Sequence, residues 1–323
     1  MSTANRRLLI IVNLGTPAAP TPEAVHEFLR EFLSDPSVID MPRWLWQPIL
    51  HRLVLRSRPR RVAKLYRSIW TAGGSPLEVG TRKMAAGIEE IAADRFDVAW
   101  AYRYGDRSLQ RTFSERVGPD TEAVVLPLYA HRTSSTTGSV FLEADRVALA
   151  LGVPANVRKV TLPPDDPGFI DALADRCRAA FAQAGVEPEH LLLSYHGIPI
   201  RYDRRERNQY SADCLATTDA LLRALGRDPG RATHCYQSKF GPEPWLKPTT
   251  AELFAELPRR GVRSLAVVTP GFLTDGLETI EEIGVQGREL FEKAGGDTFI
   301  RVDAPEDHPA LLAALVRTAF PNW

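Results

Sequence analysis

The stretch Leu191-Leu192-Leu193-Ser194-Tyr195-His196-Gly197-Ile198-Pro199 decides how the chain is read. An apolar run ends abruptly in a histidine, and Gly and Pro follow at once. This pattern fits a buried strand that opens into a loop. It puts His196 at the carboxyl end of a strand, outside which open α/β sheets bind their ligands. Imidazole has an unperturbed pKa near ~6.5, so it serves near neutrality as base, acid or metal ligand. A strand-end histidine can equally be an ordinary hydrogen-bonded one, and the rest of the chain has to decide.

Working outward, strands alternate with helices on both sides of this run. Leu8 to Leu14 reads as a strand ending in Asn13-Leu14-Gly15-Thr16-Pro17. Thr21-Pro22 is a cap-plus-proline helix start, and Val25, Phe28, Leu29, Phe32 and Leu33 recur at helical spacing. Val98 to Gly105 and Ala123 to Tyr129 are further strands, the latter feeding the hydroxyl-rich loop Ser134-Ser135-Thr136-Thr137-Gly138. Such a loop at a helix start is an ordinary cap or an anion site, and taken alone the cap is the simpler reading. After the proline-rich linker Pro163 to Pro167 the plan repeats, with strands at Leu191, Thr233 and Ser264 and helices between them. The alternation predicts α/β architecture: two similar doubly wound lobes, each a parallel sheet flanked by helices, with a cleft between them. The lobes are expected over residues 1–150 and 151–323, the last helix being able to pack back onto the first lobe.

The segment Trp44-Leu45-Trp46-Gln47-Pro48-Ile49-Leu50 is unusually aromatic for a connection. Leu45, Ile49, Leu50 and Leu53 share a helical face, which predicts a core-facing helix, the alternative being a lip over an apolar pocket. The basic run Arg56-Ser57-Arg58-Pro59-Arg60-Arg61 reads as a solvated face, or as a neighbour for an anionic ligand.

Composition narrows the function classes. Lys plus Arg is 40 and Asp plus Glu is 40, so no global basic field draws the chain to nucleic acid. Three scattered cysteines, Cys177, Cys214 and Cys235, do not make a disulfide framework or a zinc ribbon. Nor can they supply the four thiolates of an iron–sulfur cluster from one chain. This usage suits a reducing cytoplasm. The apolar run near the N-terminus is too short for a signal peptide, and no run approaches the roughly 18–20 residues of a membrane span. Gly-x-Gly-x-x-Gly, Walker and Gly-x-Ser-x-Gly patterns are missing from the sequence, which removes the main support for nucleotide binding and serine hydrolysis.

Acids follow the last of these strands in Thr274-Asp275-Gly276-Leu277-Glu278-Thr279-Ile280-Glu281-Glu282. Asp275 and Glu278 are spaced as a capping box at a helix start. Glu278 and Glu282 are four residues apart and share a face, where like charges cost a little unless something rewards them. If this helix start and the His196 loop meet, an imidazole faces carboxylates. Such a set can hold a borderline divalent cation and accept protons, but is too sparse for a closed structural zinc site.

Taken together, these motifs resemble the ferrochelatase family. The resemblance is carried by Leu192 to Pro199, Asn13 to Pro17, Phe32-Leu33-Ser34-Asp35-Pro36, Gly74-Ser75-Pro76-Leu77, Ser135-Thr136-Thr137-Gly138, Tyr236 to Leu246, and Pro270-Gly271-Phe272 with Asp275 and Leu277-Glu278-Thr279. It runs from about residue 8 to 320. It implies a cluster-free lyase that inserts ferrous iron into protoporphyrin IX at the end of haem synthesis, in a chelatase-like fold. It further implies that His196 and Glu278 form the iron site, with Glu282 the next acid along the helix. Leu14, Ser75, Arg103, Thr136, Thr137, Tyr210, Trp245 and Phe272 would contact the porphyrin. Expected partners are protoporphyrin IX and ferrous iron, without nucleic acid or a membrane span; peripheral membrane contact stays open, and a cytoplasmic monomer is expected. The alternatives are a chelatase for coproporphyrin or another tetrapyrrole, and a non-catalytic tetrapyrrole-binding protein. The family pattern is departed from at Arg207-Asn208-Gln209, at Gly276 and at Tyr129-Ala130-His131.

Overall fold

The computed structural model describes residues 6–321, which divide into two compact units, 6–162 with 315–321, and 163–314. Each unit is built on one four-stranded sheet. In the first, β1 (Arg6–Asn13), β2 (Asp97–Tyr102), β3 (Thr121–Pro127) and β4 (Val157–Lys159) lie in the order β2-β1-β3-β4, all parallel. In the second, β5 (His190–His196), β6 (Ala232–Gln237), β7 (Ser264–Val268) and β8 (Thr298–Arg301) repeat that order as β6-β5-β7-β8, again all parallel.

Parallel sheets are covered on both faces, so their strands read as continuous apolar runs. Leu8 to Val12 and Leu191 to Tyr195 are accordingly buried along their whole length. β4 and β8 escaped the sequence reading because they hold only three and four residues, two of them polar in each.

Helix boundaries follow local chemistry. Helix Pro22–Ser34 starts at Thr21, whose hydroxyl accepts the Ala24 N–H at 3.3 Å, and buries Val25, Phe28, Leu29 and Leu33. Helix Pro167–Ala184 starts at Asp166, which accepts from Gly168 and Phe169, and stops at Gly185 in the left-handed region (φ 66°). Helix Leu55–Ile69 carries the basic run with Arg56, Arg60 and Arg61 exposed, the solvated face expected of it.

The aromatic segment departs from expectation. Helix Arg43–Ile49 buries none of its residues; Trp44 is 78% and Leu53 66% exposed, and Leu50 alone of the four face residues is buried. Residues Leu50–Val54 wind as a π-turn. The wider turn breaks the 100° spacing on which a shared face for Leu45, Ile49, Leu50 and Leu53 depended. Trp46 is tied down separately, its indole N–H donating to the Leu33 carbonyl at 2.7 Å.

The order of each sheet places its topological switch beside its first strand, between β1 and β3 and between β5 and β7. Asn13-Leu14 and His196 stand at the carboxyl ends of these first strands, the position where such sheets present ligands.

Candidate active site

His196 is the last residue of β5, opposite Gln237 at the end of β6. Its side chain is exposed, whereas Tyr195 and Gly197 on either side are buried. Nδ1 lies 2.7 Å from the Gly197 carbonyl. A carbonyl only accepts, so Nδ1 carries the proton and Nε2 of the neutral ring keeps its lone pair. Fixing one ring nitrogen on a backbone carbonyl is how ligating histidines are commonly oriented.

Three neighbours hold this loop. The Gly197 N–H donates to the Gln237 carbonyl at 2.8 Å, and the Tyr210 hydroxyl donates to the His196 carbonyl at 2.5 Å. A Cβ on Gly197 would lie 2.8 Å from the Gln237 carbonyl oxygen and 3.0 Å from Trp245 Cε3, so only glycine fits here. Trp245 thus packs against the loop, and Pro199 and Trp245 form an isolated antiparallel bridge. The Phe272 ring stands 6.4 Å from the His196 ring, centroid to centroid.

The acids come from a π-helix, Leu277–Gly287, continued by a short α-helix, Arg288–Lys293. π-windings are rare and cluster at functional sites. The expected Asp275–Glu278 capping box is not formed. The Gly276 N–H goes instead to the Thr279 hydroxyl at 3.0 Å, and Thr279 donates to Asp275 at 2.7 Å. Asp275 also pairs with Arg301 at 2.8 Å, a partner β8 supplies from beyond the helix, so its carboxylate is shared between Thr279 and Arg301.

With no capping duty, Glu278 stands half-buried. Burial pushes its carboxyl above the ordinary range and Glu282 adds to the rise, while the nearby His196 opposes both. The Glu278 main-chain carbonyl accepts the Gln237 side-chain N–H at 3.1 Å. Both carboxylate oxygens of Glu282 are held by Ser238, through its N–H at 2.7 Å and its hydroxyl at 2.6 Å. Glu281 is buried and turned elsewhere, onto Gln286. Among the described residues, no three His, Cys, Asp or Glu side chains gather into a metal-holding group.

The second unit therefore brings together His196, Glu278, Glu282, Tyr210, Trp245 and Phe272. Tyr210 is 5% exposed and its hydroxyl is spent on His196, so it supports the loop and is not a wall open to ligand. Gln237 and Ser238 were missed as functional residues. The available signal was their place at the end of a strand, directly before an apolar–proline loop.

The first unit disposes of its candidates differently. Ser75 is fully buried and caps helix Pro76–Ala92, accepting the Glu78 N–H at 3.2 Å. Arg103 is engaged internally: Nη2 donates to Asp35 at 2.6 Å, and Nε to the Ser139 hydroxyl at 2.8 Å. Ser75 and Arg103, both expected to contact the porphyrin, thus have their polar groups engaged within the unit. Thr136 bonds the Thr133 hydroxyl at 2.8 Å within an ordinary cap, whereas the buried Thr137 hydroxyl has no hydrogen-bond partner among the described residues. Leu14 is half-buried beside Arg103, whose N–H donates to the Asn13 carbonyl at 2.9 Å. A separate cavity of about 350 Å³ in this unit is lined by Thr16, Trp100, Tyr102 and Arg107 among others, and by none of the expected iron or porphyrin contacts.

Two solved chelatases share this architecture. SirB from Bacillus subtilis, solved with Fe3+, superposes with a TM-score of 0.55 at 13% identity, covering 98% of this chain and 96% of that one. CbiX, described as the terminal enzyme of sirohaem biosynthesis in denitrifying bacteria, gives 0.51 at 16%, covering 98% and 100%. The fold is thus of the chelatase class. Sequence narrows the class. A family model described as Ferrochelatase matches residues 7–321. The ferrochelatase of Edwardsiella ictaluri is 44% identical over 94% of each chain. That of Pectobacterium atrosepticum is 43% identical over 93% of each, and ferrochelatase 1 of Shewanella oneidensis 40% identical over 98% of this chain and 96% of its own. The chain belongs to the ferrochelatase family. It is a lyase of haem synthesis that inserts metal into a porphyrin.

Proposed function

We propose that the metal is ferrous iron, that the porphyrin is protoporphyrin IX, and that His196 and Glu278 receive the iron while Glu282 relays. The observation that carries this reading is the state of His196: Nδ1 is tied to the Gly197 carbonyl, leaving the exposed Nε2 as the free lone pair beside the Glu278 carboxylate. Insertion releases two pyrrole protons for each Fe2+ that enters, so the net charge of the macrocycle and its metal stays balanced. One nitrogen cannot bind iron and take a proton at once, so His196 and the acids divide the two tasks. A flat macrocycle hides its nitrogen lone pairs, and bending it is strain that binding elsewhere on the ring must supply. In the second unit, Phe272 and Trp245 are the proposed walls for that grip.

Three buried thiols support a protein without an iron–sulfur cluster, since such clusters take four cysteine ligands. The same reduced cysteines support a cytoplasmic place, and no helix among the described residues is long and apolar enough to cross a membrane. We take the protein as a monomer. The deciding experiment mixes purified protein with anaerobic ferrous iron and, separately, protoporphyrin IX, coproporphyrin and sirohydrochlorin, and follows metalloporphyrin absorbance. Fastest turnover with protoporphyrin IX supports the proposal. Preference for another macrocycle overturns the substrate, and binding without insertion overturns the catalytic reading.

A further inference from the structure

We propose that Ser238 is a positioning residue that sets the Glu282 carboxylate in line behind Glu278; this rests on the reading of Glu282 as the relay acid. The backbone of Ser238 lies in the left-handed region (φ 62°), uncommon for a residue other than glycine, and worth notice when it occurs. That turn aims its N–H and its hydroxyl the same way. The two donors reach different oxygens of one carboxylate, Oε1 at 2.7 Å and Oε2 at 2.6 Å. Bonds this short to a carboxylate are in the charge-assisted range. An ionised carboxylate offers about four acceptor positions, so two remain open on Glu282 for a metal or a proton.

The preceding residue performs the matching task for the other acid. Gln237 is 3% exposed and fully engaged. Its Nε2 donates to the Glu278 carbonyl, its Oε1 accepts the Ser194 hydroxyl at 2.9 Å, and its own carbonyl accepts the Gly197 N–H. Two consecutive residues at the end of β6 thus tie the His196 loop and both acids of the π-helix to one sheet edge. Gln237 fixes backbone and so sets where the helix starts. Ser238 touches only a side chain, and helix packing does not require its hydroxyl. Ile283, Gly287 and Phe291 already anchor the helix by burial. The inference is that the Ser238 hydroxyl exists to hold a carboxylate at a fixed place on the iron path.

The test is steady-state kinetics of Ser238→Ala and Ser238→Gly under the anaerobic assay, with the wild-type enzyme run first. An inert wild type would defeat the proposed function and is distinguishable from failure of this inference. Alanine removes the hydroxyl alone; glycine removes it too but relaxes the left-handed backbone, which guards against a folding artefact. The expected result is, in both variants, kcat down by roughly 10-fold or more and a raised KM for iron. The KM for porphyrin and the melting temperature should stay near those of wild type. Unchanged kcat and iron KM in either folded variant would overturn the inference. So would wild-type kinetics restored by glycine, or loss of folding in both, since each assigns Ser238 to backbone structure alone.

Discussion

The Tyr210 hydroxyl donates to the main-chain carbonyl of His196 at 2.5 Å, joining helix Gln209–Leu225 to the end of β5. Tyr210 is buried, and burial holds its hydroxyl protonated well beyond its ordinary range, so it remains a donor at any working pH. Tyr210→Phe leaves that carbonyl without this donor. The expected cost is about 1–3 kcal/mol in urea unfolding. A fall in kcat with little change in porphyrin KM should accompany it, because the loop carrying His196 loses a tether. Full activity at reduced stability would show the tether to be structural only.

In the first unit, Asp35 is the hub of a buried polar group. It takes Arg103 at 2.6 Å, the Tyr104 hydroxyl at 2.8 Å and the Ser139 hydroxyl at 2.9 Å. Burial by itself would raise its carboxyl, but the Ser37 N–H, Tyr104, Arg103 and Ser139 together hold it below the ordinary range. Asp35→Ala leaves the Arg103 guanidinium, 17% exposed, without its counter-charge. The loss should be about 3–5 kcal/mol, as for a broken buried ion pair. A loss below ~1 kcal/mol by denaturant titration would mean that the arginine finds water instead.

Much of this architecture could be read before any coordinates. The apolar runs at Leu8 and Leu191 are continuous because parallel strands are buried on both faces, so their class was plain. Pro22 after Thr21 marked a helix start by chemistry that tertiary packing seldom overrides. His196 and Glu278 were visible as types at strand and helix ends. What could not be read was how polar groups share partners. The 278-to-275 spacing suited a capping box, but Arg301 arrives from β8, a four-residue strand with too little pattern to detect, and shares the Asp275 carboxylate with the Thr279 hydroxyl. Trp44 to Leu53 kept a helical period that the π-turn at Leu50–Val54 spoils, and a change of winding leaves no mark on hydrophobic spacing.

His234 makes stability depend on acid. It lies stacked on Tyr195 at 4.7 Å and edge-on to Tyr236 at 4.8 Å; Nδ1 meets the Thr218 hydroxyl, and Nε2 is buried without a partner among the described residues. Burial lowers its pKa from 6.5 to about 4, Asp219 opposing weakly. The unfolded chain therefore takes up a proton at higher pH than the folded one. Stability is whole above pH ~6.5, falls as pH drops toward ~4, and loses nothing further from this group below that. At about 1.4 kcal/mol per unit the loss is roughly 3 kcal/mol. Urea midpoints at several pH values should fall less steeply for His234→Phe than for wild type; parallel slopes would remove the effect from this residue.

The central claim is that Glu278 works by its negative charge. Glu278→Gln keeps the shape of the side chain, and the helix start is held by Thr279 and Gly276, so folding should not notice the change. The measurement is single-batch comparison of wild type and Glu278→Gln with anaerobic ferrous iron and protoporphyrin IX, alongside melting temperature and porphyrin binding. The account predicts an unchanged melting temperature, retained porphyrin binding, and turnover reduced at least roughly 100-fold, the low end for a positioned acid or base. A folded Glu278→Gln enzyme with wild-type turnover would contradict it.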